Sequence, residues 1–584
     1  MIQLTINDKP VTVEEGTTIL EAAKKLNILI PTLCHLNLHG LNVNNETASC
    51  RVCMVEQVPS GKLLAACSTR VRNGMNIRTD TLRVIKNRRM MIELLLSDHP
   101  KDCLVCSKSG HCELQTLANE ANIRSVRYKG KQHQCKVDDT SLSLVRDMNK
   151  CILCKRCETM CNEVQTVGVL TDVGRGFETV VGTAFDLPMH ETVCTFCGQC
   201  VSVCPTGALT EVDNTMQVWD ALAGNKTVVV QVAPAVRVAL GEAFHLEPGV
   251  DVTGKMVSAL KGLGFDYVYD TNFAADVTVM EEAHEFIDRV KTGGRLPILT
   301  SCCPSWIKFV EHNFGDLVDI PSSCKSPHEM FGALAKTYLA ERLGIKPEDM
   351  VVVSVMPCVA KKYESARPEL SNESGVSDVD IVISTRELAR MISEATLDFQ
   401  SLPEGDFDSF MGQSTGAGTI FGSTGGVAEA TLRTAYELLT GETLQEVNFT
   451  ALRGLENLKE ATVMVGDRQI RVAVASGLGS ARRLLDRVRH GEAEYHLIEI
   501  MACPGGCIDG GGQPYIAGDT GILEKRMASI YQIDSDKKIR KAHENPEVQL
   551  LYKEYLGEPY HGEKAHELLH THFVVRKKHT MPNM

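Results

Sequence analysis

The pattern of hydrophobic positions changes part-way along the chain. QLTIND and KPVTVEE (3–15) alternate apolar and polar residues, the period-two signature of a hairpin with one buried face. TTILEAAKKLNI (17–28) then switches to helical spacing. From about Trp219 the runs TVVVQVAP, MVVVSVMPC and IRVAVASGLG are unbroken apolar stretches, as expected of strands covered on both faces. Helical patterns lie between them, which predicts α/β layers around largely parallel sheets. One such helix is TVMEEAHEFIDRVKTGG (278–294). Val279, Met280, Ala283, Phe286, Ile287 and Val290 form its apolar stripe, and glycine follows its end. Glu282, Glu285 and Arg289 share another face, where spacing alone predicts a solvated Glu285–Arg289 pair.

Length and composition narrow the class. With 584 residues the chain exceeds one hydrophobic core, so several domains are expected. The net charge is −13 and no basic run is long enough for nucleic acid or an anionic membrane surface. No uncharged stretch is long enough to span a bilayer. The first residues lack the basic and apolar regions of a signal peptide, so a cytoplasmic location is expected. Twenty-two cysteines in tight clusters, in so long a chain, point to a metalloprotein rather than a disulfide scaffold.

The cysteines fall into sets. Cys34, Cys50, Cys53 and Cys67 follow the strand–helix start, and zinc is the competing occupant for any such four. His99, Cys103, Cys106 and Cys112 suit zinc or iron equally, with His111 as a rival ligand. Cys151, Cys154, Cys157 and Cys161 form C-x₂-C-x₂-C-x₃-C, and Cys194, Cys197, Cys200 and Cys204 repeat it before Pro205. This is the two-cluster iron–sulfur run in which each fourth cysteine crosses over. Cluster one then takes Cys151, Cys154, Cys157 and Cys204; cluster two takes Cys194, Cys197, Cys200 and Cys161. Further on, Cys302 and Cys303 follow RLPILT, Cys358 follows MVVVSVMP, and Cys503 and Cys507 follow YHLIEIMA. Strand ends of α/β folds are where ligands gather.

The first set, in its strand–helix setting, resembles a plant-type ferredoxin fold holding [2Fe–2S]. The second resembles the His-ligated [4Fe–4S] segment of FeFe-hydrogenases and of respiratory NADH dehydrogenases. TSCCPSW (300–306), MPCVAKKYE (356–364), MACPGGCIDGGGQP (501–514) and FGSTGGVAEA from Phe421 resemble the catalytic domain of FeFe-hydrogenases. The resemblance covers essentially the whole chain. It implies a multidomain fold: β-grasp ferredoxin-like and bacterial-ferredoxin-like α+β modules (1–80, 81–130 and 131–212) followed by a large α/β H-cluster domain (213–584).

The resemblance also implies the cofactors and roles. They are one [2Fe–2S], three [4Fe–4S] and an H-cluster: a cubane joined to a diiron unit carrying CO, cyanide and azadithiolate. By motif match Cys303, Cys358, Cys503 and Cys507 hold the cubane, with Cys507 bridging. Met356, Met501, Lys361, Ala233 and Pro234 surround the diiron unit, a lysine suiting an anionic group. Lys361 has a plainer account as a surface lysine beside Lys362. Cys302 then remains an unligated thiol able to give a proton to the bridging amine, since thiol pKa values are adjustable. Glu282, Ser322 and Glu285 match a proton path with Arg289 near its outer end. Cys135 and Cys324 are taken as ordinary thiols. Ala235 and His328 depart from residues common in relatives. His566 and His570, four apart in the tail, are expected on an exposed or packing helix rather than at a metal.

The implied reaction is H₂ ⇌ 2 H⁺ + 2 e⁻, with electrons passed to ferredoxin. The alternative is a catalytic subunit of an NAD-linked, electron-bifurcating complex whose flavin and nucleotide sites lie on a partner, since no dinucleotide fingerprint stands out. A non-catalytic sensor or assembly protein is the reading from another class. Assembly relatives generally lack the free cysteine, the lysine and the methionine environment.

Overall fold

The computed structural model describes residues 1–38, 43–45, 47–371 and 375–576; the closing residues of the expected 213–584 domain lie outside the described residues. The chain forms two compact units. The smaller comprises Met1–Glu163, Gly168–Met189 and Val203–Thr210. The larger comprises Val164–Val167, His190–Ser202 and the chain from Glu211 onward.

In the smaller unit a five-stranded sheet runs in the order Lys9–Val13, Ile2–Ile6, Asn76–Arg78, Met54–Gln57, Lys62–Ala65. Only the pairing of Ile2–Ile6 with Asn76–Arg78 is parallel. The alternation of the sequence places Leu4, Ile6 and Val13 in the core, with Val55 and Ile77 from the strands that pair later. The helix Ile19–Lys25 starts where a capping box forms: Thr18 Oγ1 accepts from Glu21 N–H, and the Glu21 carboxylate accepts from Thr18 N–H at 2.7 Å.

The larger unit holds two four-stranded sheets. In one, Tyr267–Asp270, Thr227–Val232, Met350–Met356 and Ile381–Ser384 are all parallel. In the other, Ile298–Leu299, Leu497–Met501 and Arg468–Ser476 run parallel and Leu458–Val465 closes the edge antiparallel. The apolar runs TVVV, MVVV and RVAVA are therefore buried strands, as their composition requires. Ala233, Pro357, Thr300 and Ala502 immediately follow four of these strands, two from each sheet, so chain leaves the carboxyl ends of both toward one place.

The helix Thr271–Thr292 begins where the Asp270 side chain accepts from Asn272 N–H and stops at Gly293, whose φ is 72°. Helices Pro327–Leu334, Gly416–Ile420 and Gly426–Thr440 pack around it. The solvated acidic face expected from spacing is absent: Asp276, Glu281, Glu282 and Glu285 are all buried. Amphipathic period locates an apolar stripe, but whether the opposite face is also covered depends on distant segments. No described helix is long and apolar enough to cross a membrane.

Candidate active site

The chain leaving the four strand ends lines a cavity of about 80 Å³ with almost wholly apolar walls. Cys303, Cys358, Cys503 and Cys507 line it, as do Cys302 and Lys361. So do Met356, Met501, Ala233 and Pro234, which brings together every residue expected at this centre. The four thiols act on one another electrostatically, and burial raises all of their pKa values. Cys503 is pushed well above the usual thiol range, with Cys358, Cys303 and Cys507 adding to the effect of burial. Four thiols that repel as thiolates in an apolar cage are a donor set whose charge a metal centre would neutralise. The cage thus fits an iron–sulfur group. Gly506 has φ +95°, and a Cβ there would fall 2.5 Å from Thr424 N, so only glycine lets Cys507 turn in.

Lys361 is buried, not a surface lysine, and so is Lys362. Lys361 Nζ donates to the Cys302 carbonyl at 3.1 Å and to Glu364 Oε2 at 2.6 Å. Burial works against its charge, but Glu364 outweighs it and raises the pKa. His328 also lines the cavity. Burial pushes its imidazole down to about 3, so the ring is neutral. Its Nε2 lies 2.7 Å from Glu329 Oε1 and 3.4 Å from Glu364 Oε2. Gln513 Nε2 donates to the carbonyl of Ala235 at 2.8 Å.

From Cys302 a line of buried acids follows the 271–292 helix. Cys302 is held well above the thiol range by burial and then by Glu282. Glu282 is itself raised to about 8 by burial and by Glu285. Among the described residues its Oε1 is buried without a hydrogen-bond partner at ordinary distance, while Oε2 accepts weakly from Thr431 Oγ1 at 3.5 Å. Ser322 Oγ donates to Glu285 Oε2 at 2.6 Å, and Arg289 Nη2 donates to Glu285 Oε1 at 2.5 Å. Arg289 also holds the Ile320 carbonyl at 2.8 Å and is partly exposed. A buried carboxylic acid that keeps its proton near neutral pH can both give and take one.

Sequence spacing missed three groups here. Cys324, taken as an ordinary thiol, is fully buried with Sγ 4.0 Å from Glu285 Oε2. Glu281 is held by the chain's far end: it accepts from Tyr552 OH, from Tyr560 N–H at 2.7 Å, and lies 3.0 Å from His570 Nε2. The tail is thus a packing helix, Glu563–Leu569, followed by a buried His570. Lys308 is buried between two rings. An extra glutamate beside Glu282 in an apolar helix was the one available hint.

The accessory sites follow. Cys34, Cys50, Cys53 and Cys67 are all buried, with Cys53 and Cys67 sulfurs 3.4 Å apart. Hydrogen bonds from Cys50 and Cys67 hold Cys34 below the thiol range and push Cys50 and Cys67 above it, so the four sulfurs lie close enough to share protons. His99 Nδ1 is buried without a partner and burial lowers its pKa, leaving a neutral ring nitrogen free to ligate. Cys112 and Cys106 act on each other, whereas Cys103 is exposed. Cys151, Cys154, Cys157 and Cys204 line one cavity, so the crossing fourth cysteine does reach the first run. Cys194, Cys197 and Cys200 lie in the larger unit and Cys161 in the smaller. Within the larger unit the Cys197–Gly198 turn meets the cavity loop: a Cβ on Gly511 would lie 2.7 Å from Gly198 Cα and 2.8 Å from the Cys197 carbonyl.

Known proteins resemble this chain along its length. Residues 226–511 match the model "Iron only hydrogenase large subunit, C-terminal domain", and 520–576 match "Iron hydrogenase small subunit". Residues 1–82, 88–127 and 150–208 match a 2Fe-2S cluster binding domain, the NADH-ubiquinone oxidoreductase-G iron-sulfur binding region and a 4Fe-4S dicluster domain. The NADP-reducing hydrogenase subunit HndD of Solidesulfovibrio fructosivorans is 56% identical over 99% of this chain and 100% of its own length. Iron hydrogenase 1 of Clostridium pasteurianum is 38% identical over 98% of this chain and 99% of its own. A solved [FeFe]-hydrogenase HydA1 variant from Chlamydomonas reinhardtii superposes with a TM-score of 0.57 at 42% identity, covering 62% of this chain and 99% of that one.

Proposed function

The chain belongs to the FeFe-hydrogenases, and from that membership we propose that it interconverts H₂ with two protons and two electrons as the hydrogen-handling subunit of an NAD(P)-linked complex. The observation that carries the reaction is the cavity itself: four cysteines, a fifth beside them and a buried lysine, with a line of buried acids leading away, the first of them, Glu282, raised to about 8. The partner reading is supported by the full-length likeness to a subunit named for NADP reduction. A flavin- and nucleotide-binding subunit is then the electron acceptor, with ferredoxin as the second candidate.

Cys303, Cys358, Cys503 and Cys507 would hold the H-cluster through their sulfurs. When bound, the H-cluster with its CO, cyanide and azadithiolate ligands supplies the metal chemistry that cleaves H₂ heterolytically. Lys361 offers its ammonium to that anionic group while Glu364 and the Cys302 carbonyl hold it in place. Cys302 keeps its proton because burial and Glu282 oppose the thiolate, so it receives and returns protons at the cavity wall. Glu282 carries them onward, Ser322 and Glu285 share the next hydrogen bond, and Arg289 fixes Glu285 near the surface.

The accessory cysteine sets, in the domains 1–80, 81–130 and 131–212, would hold three [4Fe–4S] clusters and one [2Fe–2S] cluster, which would supply electron transfer. The site lies in the 213–584 domain, and the location is cytoplasmic. The test is an infrared spectrum of protein matured with the diiron unit. Bands in the metal-carbonyl and cyanide region, lost in Cys507→Ala, are expected; their absence in matured wild-type protein would refute the reading. Co-purification with a flavoprotein that reduces NADP under H₂ distinguishes the complex from a ferredoxin-linked enzyme.

A further inference from the structure

Lys308 lies two residues past Trp306 of the TSCCPSW stretch, on the helix Pro304–Asn313 that starts directly after Cys303. It is 4% exposed. Among the described residues its Nζ makes no ion pair; it sits 3.8 Å from the ring centre of Phe196 and 4.8 Å from that of Tyr363. The nearest candidate for a counter-charge, Glu311 on the same helix, is already committed. Its Oε1 accepts from Arg367 and its Oε2 from Arg576, each at 2.7 Å. A buried ammonium with two aromatic faces and no carboxylate is undercompensated, because ring quadrupoles recover only part of an ion's lost hydration.

Both rings belong to elements that serve metal sites. Tyr363 stands two residues after Lys361 on the same short helix. Phe196 lies between Cys194 and Cys197, and its N–H approaches Cys194 Sγ at 3.4 Å. Phe196 also has φ 55°, a left-handed conformation uncommon for a bulky residue. Burial lowers the pKa of the ammonium to about 8, and the largest influence opposing that comes from Cys194. The missing negative charge is therefore the one an iron–sulfur cluster on Cys194, Cys197 and Cys200 would bring.

We propose that Lys308, caged by Phe196 and Tyr363, is the counter-charge of that cluster and raises its reduction potential, setting the driving force of the electron step beside the cavity. The inference rests on the iron–sulfur reading of the second cysteine run. A positive charge held at fixed distance in a low-dielectric site favours the more negative, reduced cluster. Lys308 is a positioning residue for electrons and touches no substrate.

The experiment uses full-length protein reconstituted with iron and sulfide but lacking the diiron unit. Iron is counted, and potentials are measured by redox titration followed by electron paramagnetic resonance. Lys308→Met and Lys308→Gln should keep full iron and shift one [4Fe–4S] potential downward by about 59 mV, a tenfold change for one electron. Lys308→Arg should stay near wild type. If the neutral variants lose one cluster while Lys308→Arg keeps it, the charge is needed to hold the cluster, which also supports the proposal. Unchanged potentials in iron-replete neutral variants would overturn it. So would an arginine variant as impaired as the neutral ones, since that marks a packing role. Wild-type protein without [4Fe–4S] signals would instead overturn the underlying cluster reading.

Discussion

Replacing Glu282 by glutamine should stabilise the protein at alkaline pH while slowing its reaction. In the fold Glu282 is raised from 4.5 to about 8, by burial first and by Glu285 second. That displacement corresponds to about 5 kcal/mol of disfavour for the carboxylate. Between these two values the folded protein holds a proton that an unfolded chain releases. Wild-type stability therefore falls as pH rises from about 4.5 to about 8, by up to about 5 kcal/mol from this group. Glutamine does not titrate, and its amide can still accept from Thr431, the partner of Glu282 Oε2. The two proteins should unfold alike near pH 4.5 and diverge with rising pH. For a unit of this size the melting difference near pH 8 is about 6 °C in favour of Glu282→Gln. Scanning calorimetry of diiron-free protein across that range measures it. Parallel melting curves at every pH, or a variant less stable at pH 8, would show that Glu282 is solvated or ionised and would remove it from the proton line. In matured enzyme the same variant should lose about 100-fold or more in hydrogen production, because one carrier of protons is gone.

Other outcomes follow from the same geometry. Cys302→Ala should retain full iron and the infrared bands of the cofactor while turnover nearly vanishes; wild-type rates would contradict its role. Lys361→Met leaves Glu364 buried without its cation, so a loss of about 3–5 kcal/mol in chemical denaturation is expected, with weakened retention of the diiron unit in infrared spectra. Gly511→Ala puts a methyl against the Gly198 backbone and should cost about 1–3 kcal/mol. It should slow H₂ oxidation coupled to an external dye while leaving hydrogen–deuterium exchange, which needs no long-range electrons, unchanged.

Much of this was legible because the chemistry is written in spacing. The two C-x₂-C-x₂-C-x₃-C runs predict a crossed fourth ligand, and Cys204 does line the cavity of the first run. Cysteines placed just after apolar runs predict a site at strand ends, and all of them meet in one cavity. The burial of Glu282, Glu285 and Lys361 was not legible. An acidic helix face is solvated or covered according to what packs on it, and the covering segments include residues up to 289 positions away. Nor could spacing show that Cys194–Cys200 join the larger unit, because that depends on contacts with the Gly511 loop. His570 drew attention as one of a histidine pair four residues apart, yet its partner is a glutamate 289 positions earlier.

That last clasp has a bearing on biosynthesis. Glu281 leaves the ribosome well before Tyr552, Tyr560 and His570, and at ordinary elongation rates the gap is roughly 15–60 s. For that interval the helix bearing the acid relay exists with a carboxylate whose partners have not been made. The clasp on Glu281 therefore closes only after residue 570 has been made.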